Sequence, residues 1–138
     1  MLVEKDKDIR EILEKAETIA IVGCSPHWEK ASHMVPAFLQ EQGYRIVPVN
    51  PEYHEILGEK CYASLRDIPY HINIVDCFRP SREISGIAED AIAIGADVLW
   101  TQLGIINHEA GKIASQAGLK VVMNRCPHVE IPRLFNMD

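Results

Sequence analysis

The sequence predicts an α/β protein whose parallel sheet is covered by helices on both faces. Short apolar runs alternate with amphipathic segments along the chain, which is the rhythm of consecutive βαβ units. The runs are nearly continuous in apolar residues, as is typical of strands buried on both faces. The chain has 138 residues, the length of one domain, and we expect residues 1–138 to form a single domain.

Five apolar runs are predicted to form the strands. They are TIAIVG (18–23), YRIVPV (44–49), INIVDCF (72–78), DVLWTQL (97–103) and LKVVM (119–123). Pro48 lies near the end of the second run, where a proline is better tolerated than at a strand centre. The βα core therefore extends over residues 18–123.

The segments between these runs have helical spacing. A leading helix is predicted over residues 6–16, where apolar residues recur on one face. Three further helices are predicted to begin near residue 31, at Ser81 and at Asn107, and each is followed by a glycine that can end it. Residues 51–70 are irregular apart from one short helical turn, and residues 124–138 are predicted to form a turn and a short C-terminal helix.

Right-handed crossovers between such strands give a Rossmann-like doubly wound sheet, with three layers α/β/α. In these sheets ligands bind outside the carboxyl ends of the strands, at the point where the strand order reverses. That rule selects four segments of this chain as candidate ligand contacts. They are residues 23–33, 49–54, 76–82 and 101–107.

The first segment begins like a phosphate-binding loop. Gly23 ends a strand, Ser25 and Ser32 carry hydroxyl groups, and Lys30 precedes a predicted helix. Backbone N–H groups at a helix N-terminus favour an anion. The segment is not GxGxxG and is longer, so we expect a wider cradle than one for a dinucleotide; the alternative is an ordinary strand–helix loop.

Cys24 is the one candidate for a reactive thiol. A cysteine in an anion-binding loop that opens a helix can have a lowered pKa, and it could then form a mixed disulfide with a thiol ligand or sense oxidants. The alternative is a small loop residue that the ligand shields.

The other three segments offer one or two contacts each. Asn50 and Pro51 lie where an NAD-binding domain carries an acid for the ribose, and a neutral tip accepts a phosphorylated ribose. Arg79 follows the third strand, where it can meet a phosphate or an adenine face.

Phe78 could form a wall of an adenine pocket, although a phenylalanine at a strand end more often belongs to the core. After the fourth strand, Gln102 offers a polar amide and Gly104 permits close approach of a backbone. We expect Trp100 to lie in the core.

Composition and charge disfavour several function classes. The chain has 14 Lys+Arg against 20 Asp+Glu, a net charge of −6, whereas nucleic-acid binding depends on a basic face. No apolar run approaches the roughly 20 residues of a membrane span, and the charged N-terminus does not resemble a signal peptide. We therefore expect a cytoplasmic protein with no nucleic-acid or membrane partner.

The sequence offers no evident metal or catalytic site. The 4 cysteines include no CxxC pair, and we expect reduced thiols. The stretch Cys126–Glu130 could present a thiolate and an imidazole to a metal, but a turn into the terminal helix explains it better. No Ser-His-Asp or paired-carboxylate arrangement can be argued from spacing.

Several stretches together resemble the small stand-alone CoA-binding proteins, whose fold is that of the N-terminal CoA-binding domain of the succinyl-CoA synthetase alpha subunit. The stretches are IAIVGCSP, YRIVPVNP, ILGEKCYASLRDIP, IVDCFRP, AIAIGADVLWTQLG and VVMNRCPHVEIPRL. They cover most of the chain from Thr18 to Leu134, in order.

The resemblance implies coenzyme A as the ligand. The site residues it implies are Gly23, Cys24, Ser25, Lys30, Ser32, Asn50, Pro51, Phe78, Arg79, Gln102 and Gly104. Alanine is common among relatives in place of Cys24, which puts no backbone contact in doubt. The pyrophosphate of CoA fits the loop after the first strand, and its 3′-phosphate fits the neutral end of the second strand.

The resemblance also implies binding without catalysis, because the phosphohistidine of the synthetases belongs to a further domain that we do not expect in a chain ending at Asp138. A carrier, a sensor or a partner module for another protein would fit. Two alternatives stay open: an NAD(P)-binding redox sensor or oxidoreductase on the same fold, and a non-catalytic subunit of an acyl-CoA ligase-type complex.

Overall fold

A five-stranded parallel sheet organises the structure, a computed structural model that describes residues 2–136. In chain order the strands are β1 (Thr18–Val22), β2 (Arg45–Val49), β3 (Glu55–Ile56), β4 (Glu59–Lys60), β5 (Ile74–Cys77), β6 (Val98–Thr101) and β7 (Lys120–Val122). The central sheet has the order β2-β1-β5-β6-β7, and its neighbouring strands are all parallel. The strand order reverses between β1 and β5, so the switch point lies there.

Five helices cover the two faces of the sheet. They are α1 (Asp6–Lys15), α2 (Ala31–Glu41), α3 (Ile84–Ala93), α4 (His108–Gln116) and α5 (Pro127–Leu134). Helices α1, α2 and α5 share one apolar cluster, in which Leu13, Leu39 and Ile131 pack with Ile21 and Trp100 of the sheet. The fully buried Trp100 confirms its predicted place in the core.

Helices α3 and α4 lie on the other face. There Ile84 and Ala110 belong to a second cluster with Val75 and Leu99 of the sheet. Successive residues of a strand alternate between the two clusters because side chains of a strand point to opposite faces. The Rossmann-like doubly wound sheet in three α/β/α layers is therefore confirmed.

The structure differs from the sequence expectation in two local details. Strands β3 and β4 form an antiparallel hairpin within the segment expected to be irregular. Ser81 does not cap a helix with its side chain, because a 3₁₀ turn (Ser81–Glu83) precedes α3; its hydroxyl accepts a bond from the Ile106 N–H at 3.2 Å.

The predicted boundaries of the single domain stay a prediction. Met1 and the last two residues of the predicted segment 124–138 lie outside the described residues. Within residues 2–136, the search for a helix long and apolar enough to cross a membrane finds none.

Asn107 caps α4 as predicted and also joins two loops. Its side-chain oxygen accepts the Ala110 N–H at 3.0 Å, and its amide nitrogen donates to the Ser81 carbonyl at 2.8 Å. One side chain thus satisfies a helix N-terminus and fixes the β5–α3 loop against the β6–α4 loop.

We expect Asn107→Ala to lower the free energy of unfolding by about 1–2 kcal/mol, because both the cap and the bond to Ser81 are lost. Asn107→Asp is the matched control, since a carboxylate keeps the cap and removes only the donor. Chemical denaturation should place Asp between wild type and Ala; equal stability of all three proteins would contradict this role.

Candidate functional site

The carboxyl ends of four neighbouring strands bring the predicted site segments side by side. The loop after each strand hydrogen-bonds to its neighbour: Gly23 N–H to Val49 O at 2.9 Å, Phe78 N–H to Val22 O at 2.9 Å, and Gln102 N–H to Cys77 O at 3.3 Å. At the usual strand spacing, the edge from β2 to β6 spans about 14 Å.

Gly23 and Arg79 are packed against each other at the switch point. Gly23 has φ +87°, and a Cβ built there would lie 2.9 Å from Arg79 Cδ and 3.5 Å from Phe78 Cβ. Glycine is therefore required both by the left-handed backbone and by the side chain that crosses it. The aliphatic part of Arg79 thus lies directly over the start of the first loop.

The first loop folds back on itself before α2. The Ser25 N–H donates to Ser32 O at 3.1 Å, and the Ser25 hydroxyl oxygen accepts the His27 N–H at 3.0 Å. His33 Nδ1 lies 2.8 Å from Ser25 O. Ser25 is buried and Ser32 half-buried, whereas Lys30, the residue before α2, is exposed.

Asn50 links the turn after β2 to the loop after β1. Its amide nitrogen donates to Cys24 O at 2.9 Å, and its side-chain oxygen accepts the Glu52 N–H at 3.0 Å. Pro51 is exposed in the turn that follows. The two predicted contact segments are therefore one connected surface.

The thiol of Cys24 is the point on which the structure corrects the sequence expectation. Cys24 is fully buried, and this burial, with a smaller contribution from Cys61, raises its pKa to about 12. The hypothesis of a lowered pKa and a reactive thiol is wrong, because the loop turns the side chain into the core and its backbone towards Asn50. Cys24 is a small buried residue, and its shielding by a ligand, the alternative interpretation, stays a prediction.

Phe78 and Arg79 lie on opposite sides of a boundary between core and solvent. Phe78 is half-buried against the cluster of α1, α2 and α5. Arg79 is exposed, and its guanidinium donates to both carboxylate oxygens of Glu83, at 3.2 and 3.0 Å. The hydrogen bonds from Arg79 hold the pKa of Glu83 below its usual value.

The β6–α4 loop carries the last two predicted contacts. Gln102 is buried, whereas Gly104 is exposed with φ +82°, and a Cβ built on it meets nothing within 4 Å. The Gly104 N–H donates to Asn124 Oδ1 at 2.7 Å. Asn124 itself has φ +62°, so a strained residue after β7 holds this loop in place.

Asp76 lies beneath the site and is fully buried in β5. The amide nitrogen of Gln102, with the amide oriented towards this carboxyl, donates to its two oxygens at 2.9 and 3.0 Å. Burial raises the pKa of Asp76 well above its usual value. Gln102, a predicted ligand contact, is therefore held in place by the buried carboxyl group of Asp76.

Three residues of this edge, Asp76, Glu83 and Asn124, have no role predicted from the sequence. Two of them had a signal: an aspartate inside the apolar run INIVDCF needs a buried partner, and Glu83 lies four residues after Arg79, a spacing at which opposite charges pair. Asn124 had none, because its role depends on which loops meet.

Two surface cavities lie elsewhere, at the amino ends of the strands. One of about 650 Å³ is bordered by Thr18 and Arg45, and one of about 350 Å³ by Asn73 and Lys120. We favour the carboxyl edge, because there the polar side chains of several loops converge and ligands of doubly wound sheets bind. Among residues 2–136, three or more potential metal ligands do not come together.

The Asp76 carboxyl should make stability depend on pH. An aspartate whose folded pKa is raised stabilises below its unfolded pKa, near 3.8, and this contribution declines as pH rises towards the folded pKa. The difference in unfolding free energy between Asp76→Asn and wild type should therefore grow in favour of the variant as the pH rises from 4 to 7, by up to about 1.4 kcal/mol for each pH unit. Asp67→Asn, an exposed carboxyl, is the control; a pH-independent difference for Asp76→Asn would contradict the raised pKa.

The thiols should resist modification in the native state. All four cysteines are buried, and a pKa of about 12 for Cys24 lowers its thiolate fraction on the order of a thousandfold. At pH 8 a chromogenic disulfide reagent should react with four thiols in guanidinium and far more slowly in buffer. Rapid native labelling that Cys24→Ser abolishes would contradict the buried geometry.

Comparisons with known proteins agree with the fold and with the resemblance. A family model described as "CoA binding domain" matches residues 17–132. The uncharacterized protein YneT of Bacillus subtilis (strain 168) is 41% identical over 119 residues, which cover 86% of this chain and 88% of that protein. A hypothetical protein from Pyrococcus horikoshii OT3 has a TM-score of 0.93 and 46% identity, covering 96% of this chain and 93% of the other.

A longer enzyme is also similar in part. Acetate–CoA ligase (ADP-forming) I of Archaeoglobus fulgidus is 26% identical over 122 residues; the match covers 80% of this chain and 18% of the ligase. The matched part is thus a small portion of that enzyme. From the family model and the relative of similar length, we conclude that the chain belongs to the CoA-binding domain family.

Proposed function

We propose that this chain binds coenzyme A or an acyl-CoA at the carboxyl edge of its parallel sheet, as a carrier, sensor or partner module without chemistry of its own. The observation that carries the proposal is the convergence of Gly23, Asn50 and Arg79 at the switch point. The Asn50 amide donates to Cys24 O at 2.9 Å, and Arg79 Cδ would lie 2.9 Å from a Cβ on Gly23. The residues that the resemblance implies therefore adjoin one another.

The charges at this edge suit a phosphorylated ligand. Lys30 and Arg79 are exposed on the loops that follow β1 and β5, the strands on either side of the switch point. Helix α2 begins at Ala31, so its positive end adds to the attraction for an anion. An arginine can bind a phosphate through two parallel hydrogen bonds.

The tip of β2 favours a phosphorylated ribose over the ribose of NAD. Asn50, at the position of the acid in an NAD site, uses its amide to donate to Cys24 O and its oxygen to accept from Glu52. The tip therefore carries no carboxylate at the first position after the strand. This supports CoA, with its 3′-phosphate, and also leaves NADP to be tested.

The absence of chemistry is part of the proposal. The similarity to an ADP-forming acetate–CoA ligase covers 18% of that enzyme, so its reaction does not follow from the match. The Asp76 carboxyl beneath the edge is engaged with Gln102. A module that presents CoA to a separate protein remains consistent with this arrangement.

Thermal unfolding with CoA, dephospho-CoA, NAD and NADP tests the ligand class. A ligand at 100 times its Kd stabilises by about 2.7 kcal/mol, and we expect this from CoA, with less from dephospho-CoA and none from NAD. Stabilisation by NAD and not by CoA would overturn the proposal, and so would turnover of an acyl-CoA by the isolated chain.

Calorimetric titration with CoA tests the site. Arg79→Ala should weaken binding by up to about tenfold, because a charge-assisted hydrogen bond to phosphate contributes about 1.5–3 kcal/mol but replaces the bonds that Arg79 makes to Glu83. Arg82→Ala is the matched control, since it removes the same charge three positions away on an exposed residue. Equal affinities of the two variants would show that Arg79 makes no phosphate contact.

A further inference from the structure

The exposed apolar residues of this protein are concentrated at one end. The large hydrophobic side chains that are exposed among residues 2–136 are Trp28, Met34, Leu103, Ile106 and Val129. Each belongs to a loop after a sheet strand or to the first turn of the helix that follows it. They therefore lie at the carboxyl edge, and their concentration there calls for an explanation, which exposed apolar side chains scattered singly over a surface would not need.

Three of them alternate along the chain with the proposed CoA contacts. Trp28, which is 76% exposed, lies two residues before Lys30. Leu103, which is 60% exposed, stands between Gln102 and Gly104, and Ile106, which is 44% exposed, follows in the same loop. We call Trp28, Leu103 and Ile106 the apolar rim.

The β6–α4 loop is fixed so that its apolar side chains stay in solvent. The Ile106 N–H donates to the Ser81 hydroxyl at 3.2 Å, and the Thr101 hydroxyl donates to Ile105 O at 2.7 Å. The Gly104 N–H is held by Asn124. Because the backbone is anchored on both sides, Leu103 and Ile106 are presented as a preorganised surface.

Along this edge the residues change from polar to cationic to apolar, in the same order as the chemical groups of an acyl-CoA molecule. The polar end of β2 with Asn50 comes first, the cationic residues follow β1 and β5, and Leu103 and Ile106 follow β6; Trp28 shares the loop after β1 with Lys30. An acyl-CoA has the same order: a phosphorylated nucleoside, a pyrophosphate, then a long arm that ends in an acyl group.

We propose that the apolar rim receives the acyl end of an acyl-CoA, and that the ligand of this protein is a CoA thioester with an apolar acyl group. This inference rests on the proposed function, because only a ligand held by the same loops brings its far end to the rim. Free CoA occupies the polar part of the edge alone.

The test compares affinities for CoA, acetyl-CoA and octanoyl-CoA by calorimetry. Each fully buried methylene contributes a factor of about four, and we expect octanoyl-CoA to bind about tenfold or more tightly than acetyl-CoA. In Leu103→Ser and in Ile106→Ser the ratio of the two affinities should fall towards one. Ala93→Ser, an exposed apolar residue at the C-terminal end of α3 and therefore at the opposite edge of the sheet, is the control and should keep the wild-type ratio.

Tryptophan emission provides an independent readout. Trp100 is fully buried and donates to Arg125 O at 2.7 Å, so the solvent-sensitive emission comes from Trp28. Octanoyl-CoA should shift the emission to shorter wavelength, free CoA should shift it less, and Trp28→Phe should lose the shift while binding octanoyl-CoA.

The outcomes separate this inference from the proposed function. Equal affinities for CoA, acetyl-CoA and octanoyl-CoA would overturn the inference and leave CoA binding intact. A monomer-to-dimer equilibrium that Leu103→Ser abolishes, combined with those equal affinities, would assign the rim to a second copy. Failure of CoA and both thioesters to bind would overturn the inference and the proposed function together.

Discussion

Parallel pairing of β2, β1, β5 and β6 is the constraint on which the candidate site depends. Since the strands run in one direction, all their following loops meet at one edge, although Asn50 and Gln102 are far apart in sequence. Each loop then continues the ladder by one further backbone bond, as from Phe78 N–H to Val22 O. The loops therefore begin at fixed positions, and the sheet determines where their first side chains lie.

Hydrogen bonds from side chains then hold the loops against one another. Asn50 joins the loops after β1 and β2, Asn107 joins those after β5 and β6, and Asn124 joins those after β6 and β7. The Arg79 side chain packed over Gly23 brings the first two pairs of loops together. Asparagine suits this task, because one amide both donates and accepts. The buried Asp76 adds a feature that stability alone does not favour, since taking a carboxyl group out of water is costly. Its engagement with the amide of Gln102 gives this residue a reason to be present.

Apolar periodicity was sufficient to predict the five strands, the five helices and their layers, because burial in a doubly wound sheet leaves a strong pattern. The cap at Asn107 could also be predicted, since that signal is local. The contact of Asn124 with Gly104, the direction of the Cys24 thiol and the hairpin of β3 and β4 could not. These depend on distances between side chains or on weakly patterned residues, and an anion-binding loop gives no sign of whether its cysteine faces solvent or core.

The ion pair of Arg79 and Glu83 has a consequence for selectivity. An edge with two unneutralised cations would attract any polyanion in its surroundings, because long-range attraction depends on net charge and not on shape. Glu83 stays ionised beside Arg79, so the positive charge of the edge is partly neutralised. An incoming phosphate must replace a carboxylate already in position, and ligands that make few other contacts gain little from the exchange. Recognition then depends on the fit of the whole molecule instead of on charge alone.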